Sequence, residues 1–92
     1  MGEKSSCQLC GSDQQITFHH LIPRTCHRNK WFRKNFSREE MRTRGIDVCR
    51  PCHSFIHKQY NEKHLGRELN TLDRLLAEPV ISTYVAWARQ RL

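Results

Sequence analysis

The sequence contains no apolar run near the ~18 residues that a membrane-spanning helix needs, and nothing in it resembles a signal peptide. Internal repeats and low-complexity segments are also missing. Only 37% of the 92 residues are hydrophobic. One domain spanning residues 1–92 is expected from that length, with no room for a second core. So small a core is marginal on burial alone and commonly depends on a metal or on disulfides. Disulfides are the weaker option, because five cysteines is an odd number. A reducing, cytoplasmic setting without membrane partners is the expectation, and cysteines there point first to metal binding or catalysis.

Acidic residues are scarce too, nine against sixteen lysines and arginines, for a net charge of +7. The imbalance is concentrated. Residues 21–44 hold eight of the sixteen cations (Arg24, Arg28, Lys30, Arg33, Lys34, Arg38, Arg42 and Arg44) and only Glu39 and Glu40 against them. That stretch therefore carries +6 of the net +7. A patch of this density suits a polyanion such as nucleic acid; a merely solvated basic surface is the plainer reading.

Four of the five cysteines fall in two pairs, Cys7-x-x-Cys10 and Cys49-x-x-Cys52. Each C-x-x-C turn puts two sulfurs on one side, and two such turns complete a tetrahedron for zinc. A closed set of four thiolates leaves no position for water or substrate, so this zinc is expected to be structural. It would close the chain at the base of the basic insertion, residues 21–44. Cys26 remains as a lone reduced thiol.

Local signals sketch an α+β chain. Met1–Ser6 is polar and expected to be disordered. Gly11 follows the first pair, where a positive φ is expected. Gln15–Phe18 reads as a strand that ends at the histidine pair, and Ile46–Cys49 as a second. Ser37 and Glu40 form an S-x-x-E capping box that starts a helix through about Arg42, with Gly45 ending it. Pro51 opens a helix expected to run through Tyr60 and toward His64, with Gly66 as a breaker. Residues 7–64 would thus form the zinc-stapled core. Residues 70–92 add covering helices, one capped by Asn70 or Thr71, the other carrying Val80, Ile81, Tyr84, Val85 and Ala88 on one face.

The histidines are placed unevenly. His53 and His57 stand at i and i+4, about 6 Å apart on one helix face, with His64 expected further along that face. On its own such a pair is a weak signal. His19 and His20 are adjacent at a strand end, so their side chains leave in opposite directions. They cannot easily share an ion, but they can divide two tasks across one cleft. One ring can turn toward an ion carried by the His53 helix. The other can take a proton from water, since neutral imidazole is well populated near pH 7.

The combination "CQLC…HHLIPR…CRPCHSFIH" resembles the HNH endonucleases, the His-Me finger or ββα-metal family, in its four-cysteine zinc-stapled subgroup. The resemblance covers Cys7 to about His57. It implies two short antiparallel strands and a helix gripping one divalent ion (magnesium, manganese or nickel), and cleavage of DNA to a 5′-phosphate product. By position, His20 takes the place of the general base. His19 stands where the family has a metal-binding Asp or His, and His53 where it has the final, metal-binding histidine. His57 matches a further histidine found in the DNase colicins. Arg24, Arg28, Lys30, Arg33 and Lys34 are the expected DNA contacts. Arg44 stands in the place of the family's middle asparagine, which braces the loop of the base, so that Asp47, Asn35 or a backbone group would have to do so. The alternatives are a catalytically inactive zinc-stapled DNA-binding module and an interaction adaptor with no nucleic-acid role.

Overall fold

A computed structural model describes residues 6–91; the expectation of disorder for Met1–Ser6 falls outside them except at Ser6. Ile16–His20 and Gly45–Cys49 form strands β1 and β2, paired antiparallel from Ile16 opposite Cys49 to His20 opposite Gly45. β1 therefore includes the histidine pair rather than stopping before it. Gln15 does not join the strand, because its φ of 51° is left-handed, and its carbonyl instead accepts from the Arg50 N–H at 3.0 Å. Gly45 is needed where it stands: a Cβ there would overlap the Phe18 ring and lie 2.7 Å from the His19 carbonyl oxygen.

Helix α1 (Lys30–Asn35) and helix α2 (Arg38–Thr43) lie inside the basic insertion, after a 3-10 turn at Arg24–Cys26. α1 was not expected. Asn29 caps it, its side-chain oxygen accepting from the Trp31 N–H at 2.9 Å. α2 has the full reciprocal capping box between Ser37 and Glu40. Ile22, Cys26, Phe32 and Met41 pack into a small core belonging to this insertion, with Phe36 against it. The Cys26 thiol is buried there and donates to the Glu62 carbonyl at 3.7 Å.

Helix α3 (Arg50–Gln59) starts directly from β2, with Pro51 in its first turn, and packs on both strands. It stops at Tyr60. Asn61 then caps a new helix, α4 (Glu62–Glu68), by accepting from the His64 N–H at 2.8 Å. Gly66 is thus inside a helix and is no breaker. It lies against the Phe32 ring, where a Cβ would come within 2.7 Å. His64 belongs to α4, stacked on Tyr60 at 5.3 Å, and not to the His53–His57 face.

Thr71 caps helix α5 (Leu72–Ala77), whereas Asn70 is buried and donates to the Gly66 carbonyl at 2.9 Å. Helix α6 (Pro79–Arg89) follows. Ile81 and Val85 enter the main core with Leu65, Leu75, Ile56 and Val48, while Val80 faces outward, 45% exposed. Phe55 of α3 stacks on Tyr84 of α6 at 4.0 Å. The Arg89 guanidinium donates twice to the Leu9 carbonyl, at 3.1 and 2.9 Å, tying the last helix to the first cysteine turn. The architecture is α+β, and no helix among the described residues is long and apolar enough to cross a membrane.

Candidate metal centres and a cationic cleft

The two cysteine turns meet across the start of α3. Cys7 and Cys10 come from the N-terminal turn, Cys49 from the end of β2 and Cys52 from the first turn of α3. All four are buried, and their sulfurs lie within 4.8 Å of one another. The Cys10 and Cys49 sulfurs are 3.6 Å apart. The Cys10 N–H points at the Cys7 sulfur at 3.4 Å, and Gly11, at φ 86°, turns the chain away. A hydrogen bond from Cys52 draws the Cys7 thiol well below its ordinary pKa, and the same contact pushes Cys52 up. Burial pushes Cys49 up as well. A bound cation would let buried sulfurs so close together ionise as thiolates. The four cysteines are positioned to hold a structural metal ion such as zinc. Cys26 is not among them.

A second cluster forms one layer away. The residues of β1 alternate, so Thr17 and His19 face α3, and Phe18 and His20 face the other side. On α3, one helical turn separates His53 from His57. The three imidazoles of His19, His53 and His57 offer nitrogens within 4.8 Å of one another. Ring centroids are 5.1 Å apart for His19–His53, 5.4 Å for His19–His57 and 4.9 Å for His53–His57. His19 is completely buried, and neither of its ring nitrogens has a hydrogen-bond partner among the described residues. Burial, then the nearby His53, His57 and His20, lower its pKa to about 3. Its ring is therefore neutral, with a lone pair and an N–H both unsatisfied, a loss of about 1–3 kcal/mol per group. A metal ion would engage the lone pair. Three neutral imidazoles suit zinc, nickel or copper, and magnesium or manganese when phosphate oxygens complete the shell.

Thr17 orients this cluster. Its hydroxyl donates to the Val48 carbonyl at 2.9 Å, and its oxygen lies 2.9 Å from His53 Nδ1. With the hydroxyl hydrogen committed to Val48, the oxygen accepts from Nδ1–H, which leaves the His53 lone pair on Nε2. Burial, followed by the charges of His57 and His20, also lowers the pKa of His53 and favours that neutral ring.

The His20 ring leaves β1 on the other face from His19 and lines a cleft of about 800 Å3, yet it stays near enough to His53 and His19 to lower the pKa of both. Its neighbour there is His27, at 6.0 Å between centroids; His27 Nε2 is 2.8 Å from the Ile22 carbonyl and donates to it. Burial, then His27 and Arg24, lower the His20 pKa. Arg24, Arg28, Arg33, Arg38 and Arg42 line the same cleft. Arg42 is paired with Glu39 at 2.9 Å; the other four have no acidic partner among the described residues. Of the expected DNA contacts, Lys30 and Lys34 do not line this cleft.

The loop after the histidine pair is braced by main chain. The Leu21 N–H donates to the Arg44 carbonyl at 3.1 Å. The Asn35 side chain caps back on the Trp31 carbonyl, and the Asp47 backbone bonds Gln8. Sequence reasoning missed Thr17 and His27 altogether. Thr17 was reachable from the two-residue period of β1, since it shares a face with His19. His27 carried no signal apart from its place among arginines. No protein-family model matches the chain, and neither a curated protein nor a solved structure matches it.

Proposed function

We propose that this protein is a metal-dependent DNA endonuclease of the HNH, or ββα-metal, type. The observation that carries the reading is His19: a buried, neutral ring with both nitrogens unpaired, facing His53 and His57, beside a His20 that opens onto a cleft of arginines. An idle histidine buried in a core would find hydrogen-bond partners.

In this reading the arginines hold phosphates on the His20 side, giving affinity without base preference. His20 takes the proton from the attacking water, and its lowered pKa keeps it neutral for that step. His19, His53 and His57 would hold a divalent ion, with Thr17 fixing the His53 tautomer. Such an ion would supply positive charge to offset the charge developing on the phosphate as the 3′ oxygen leaves. The rival, a non-cleaving zinc-stapled DNA-binding module, draws support from Arg44 in the place of the family's asparagine. The Leu21–Arg44 backbone bond weighs against it by bracing the loop without that side chain.

Calorimetric titration of nickel or manganese into protein already loaded with zinc tests the site. One further ion per chain is expected, lost or much weakened in His19→Ala and His53→Ala and kept in His20→Ala. Retention of the ion by His19→Ala with its loss in His20→Ala would reverse the two roles. No second ion in the unaltered protein would leave the non-cleaving module.

A further inference from the structure

The cleft on the His20 side contains more than cations. Phe36 and Met41 are also among its lining residues. Arg44 sits over the Phe36 ring at 5.7 Å and Phe32 stacks with it at 6.4 Å, so an edge of the ring is what remains for the cleft. A phosphate gains nothing from an apolar wall, whereas an unpaired base does. Size points the same way. About 800 Å3 is within the ~300–1,000 Å3 typical of clefts that take one small ligand, room enough for a base turned out of a strand. Placement adds a third constraint, because His20 lines this same cleft, and a strand leaving the reacting phosphate on that side runs into it.

We propose that the cleft seats an unpaired stretch of the DNA strand beside the phosphate that is cut, with its backbone on the arginines and a base against the edge of Phe36. The preferred substrate then carries a single-stranded segment next to the scissile bond: a flap, a gap or a free strand. This rests on the endonuclease reading and narrows its substrate.

The test compares binding of three DNAs of one sequence to the zinc-loaded protein: single strand, duplex, and duplex with an unpaired flap. The single strand and the flap are expected to bind tighter than the duplex by up to about fivefold, the low end for a base stacked on an aromatic face, since Phe36 offers an edge. Arg33→Ala and Arg38→Ala should each flatten the salt dependence on single strands by about 0.7 in log–log slope. Phe36 belongs to the insertion's core, so its substitution could unfold that segment. A 5-iodouracil at the unpaired position, photo-crosslinked to the unaltered protein, avoids the problem and should attach within the cleft, at Phe36 or His27. Duplex binding as tight as single-strand binding, or cross-links confined to other surfaces, would overturn the proposal. Metal-dependent cleavage of the duplex alongside such a result would leave the endonuclease reading intact. Failure to bind any of the three DNAs would overturn both.

Discussion

Thr17 and His19 share the face of β1 that α3 covers, and Phe18 and His20 share the other. That division follows from the two-residue period of a strand, so the opposite directions of the two histidines were legible in the sequence. The bond from Thr17 to His53 was not, because it depends on the register that sets Thr17 opposite Val48. Thr17→Val keeps the shape and removes the acceptor. It is expected to lower affinity for the second ion by about 10–100-fold, the usual cost of losing a partner behind a metal-binding histidine, while Thr17→Ser retains it. Calorimetry of the three proteins checks this, and an unchanged affinity in Thr17→Val would remove Thr17 from the site. In the proposed mechanism the pH profile follows His20. A lowered pKa means that His20 stays neutral, and able to accept a proton, at pH values below its ordinary 6.5. The acid limb of cleavage, measured at saturating metal, should therefore lie below pH 6.5. Arg24→Gln removes one of the cations that depress it and should move that limb upward.

The short helices show which local rules are decisive. The reciprocal Ser37–Glu40 box and Pro51 marked helix starts that the structure contains, because capping is settled within four residues of sequence. α1 escaped notice because its cap is a lone Asn29 in a run of cations, and six residues show little periodicity. Gly66 misled for a different reason. Its helix propensity is poor by about 1 kcal/mol, but the pressing demand at that position is space for the Phe32 ring across the insertion. Tertiary contact decided the matter. Gly66→Ala should therefore destabilise the protein by about 1–3 kcal/mol through overpacking, despite its gain in propensity, as read by denaturant unfolding. A stabilised variant would show that the ring gives way. Ser37→Ala should cost about 1 kcal/mol and weaken DNA binding, because α2 carries Arg38 and Arg42 into the cleft.

For the molecule as a whole, the four cysteines and the three histidines form two separate clusters among the described residues. The cysteine spacing made the first legible, since a tetrahedron of sulfurs is nearly the one use for two such turns in a chain with so little core. Zinc of this kind contributes about 10–16 kcal/mol of apparent binding energy, against about 5–15 kcal/mol of net stability for a typical domain. Removal by a strong chelator should thus unfold the chain, followed by far-ultraviolet circular dichroism, and added zinc should restore it. A chelated protein that kept its fold would make the cysteines dispensable. The histidine centre was legible only as a list of residues. That His57 stands equally with His53, and that His19 is buried without partners, required the packing of α3 on β1. The proposal that the histidine cluster, with His20, cuts DNA is tested by conversion of supercoiled plasmid to nicked or linear form by zinc-loaded protein, with magnesium, manganese or nickel added in turn. Metal-dependent conversion is predicted, reduced about 10²–10⁴-fold in His20→Ala and partly restored by excess metal in His53→Ala. Plasmid left intact with every ion, or cut equally well by all the variants, would contradict the account.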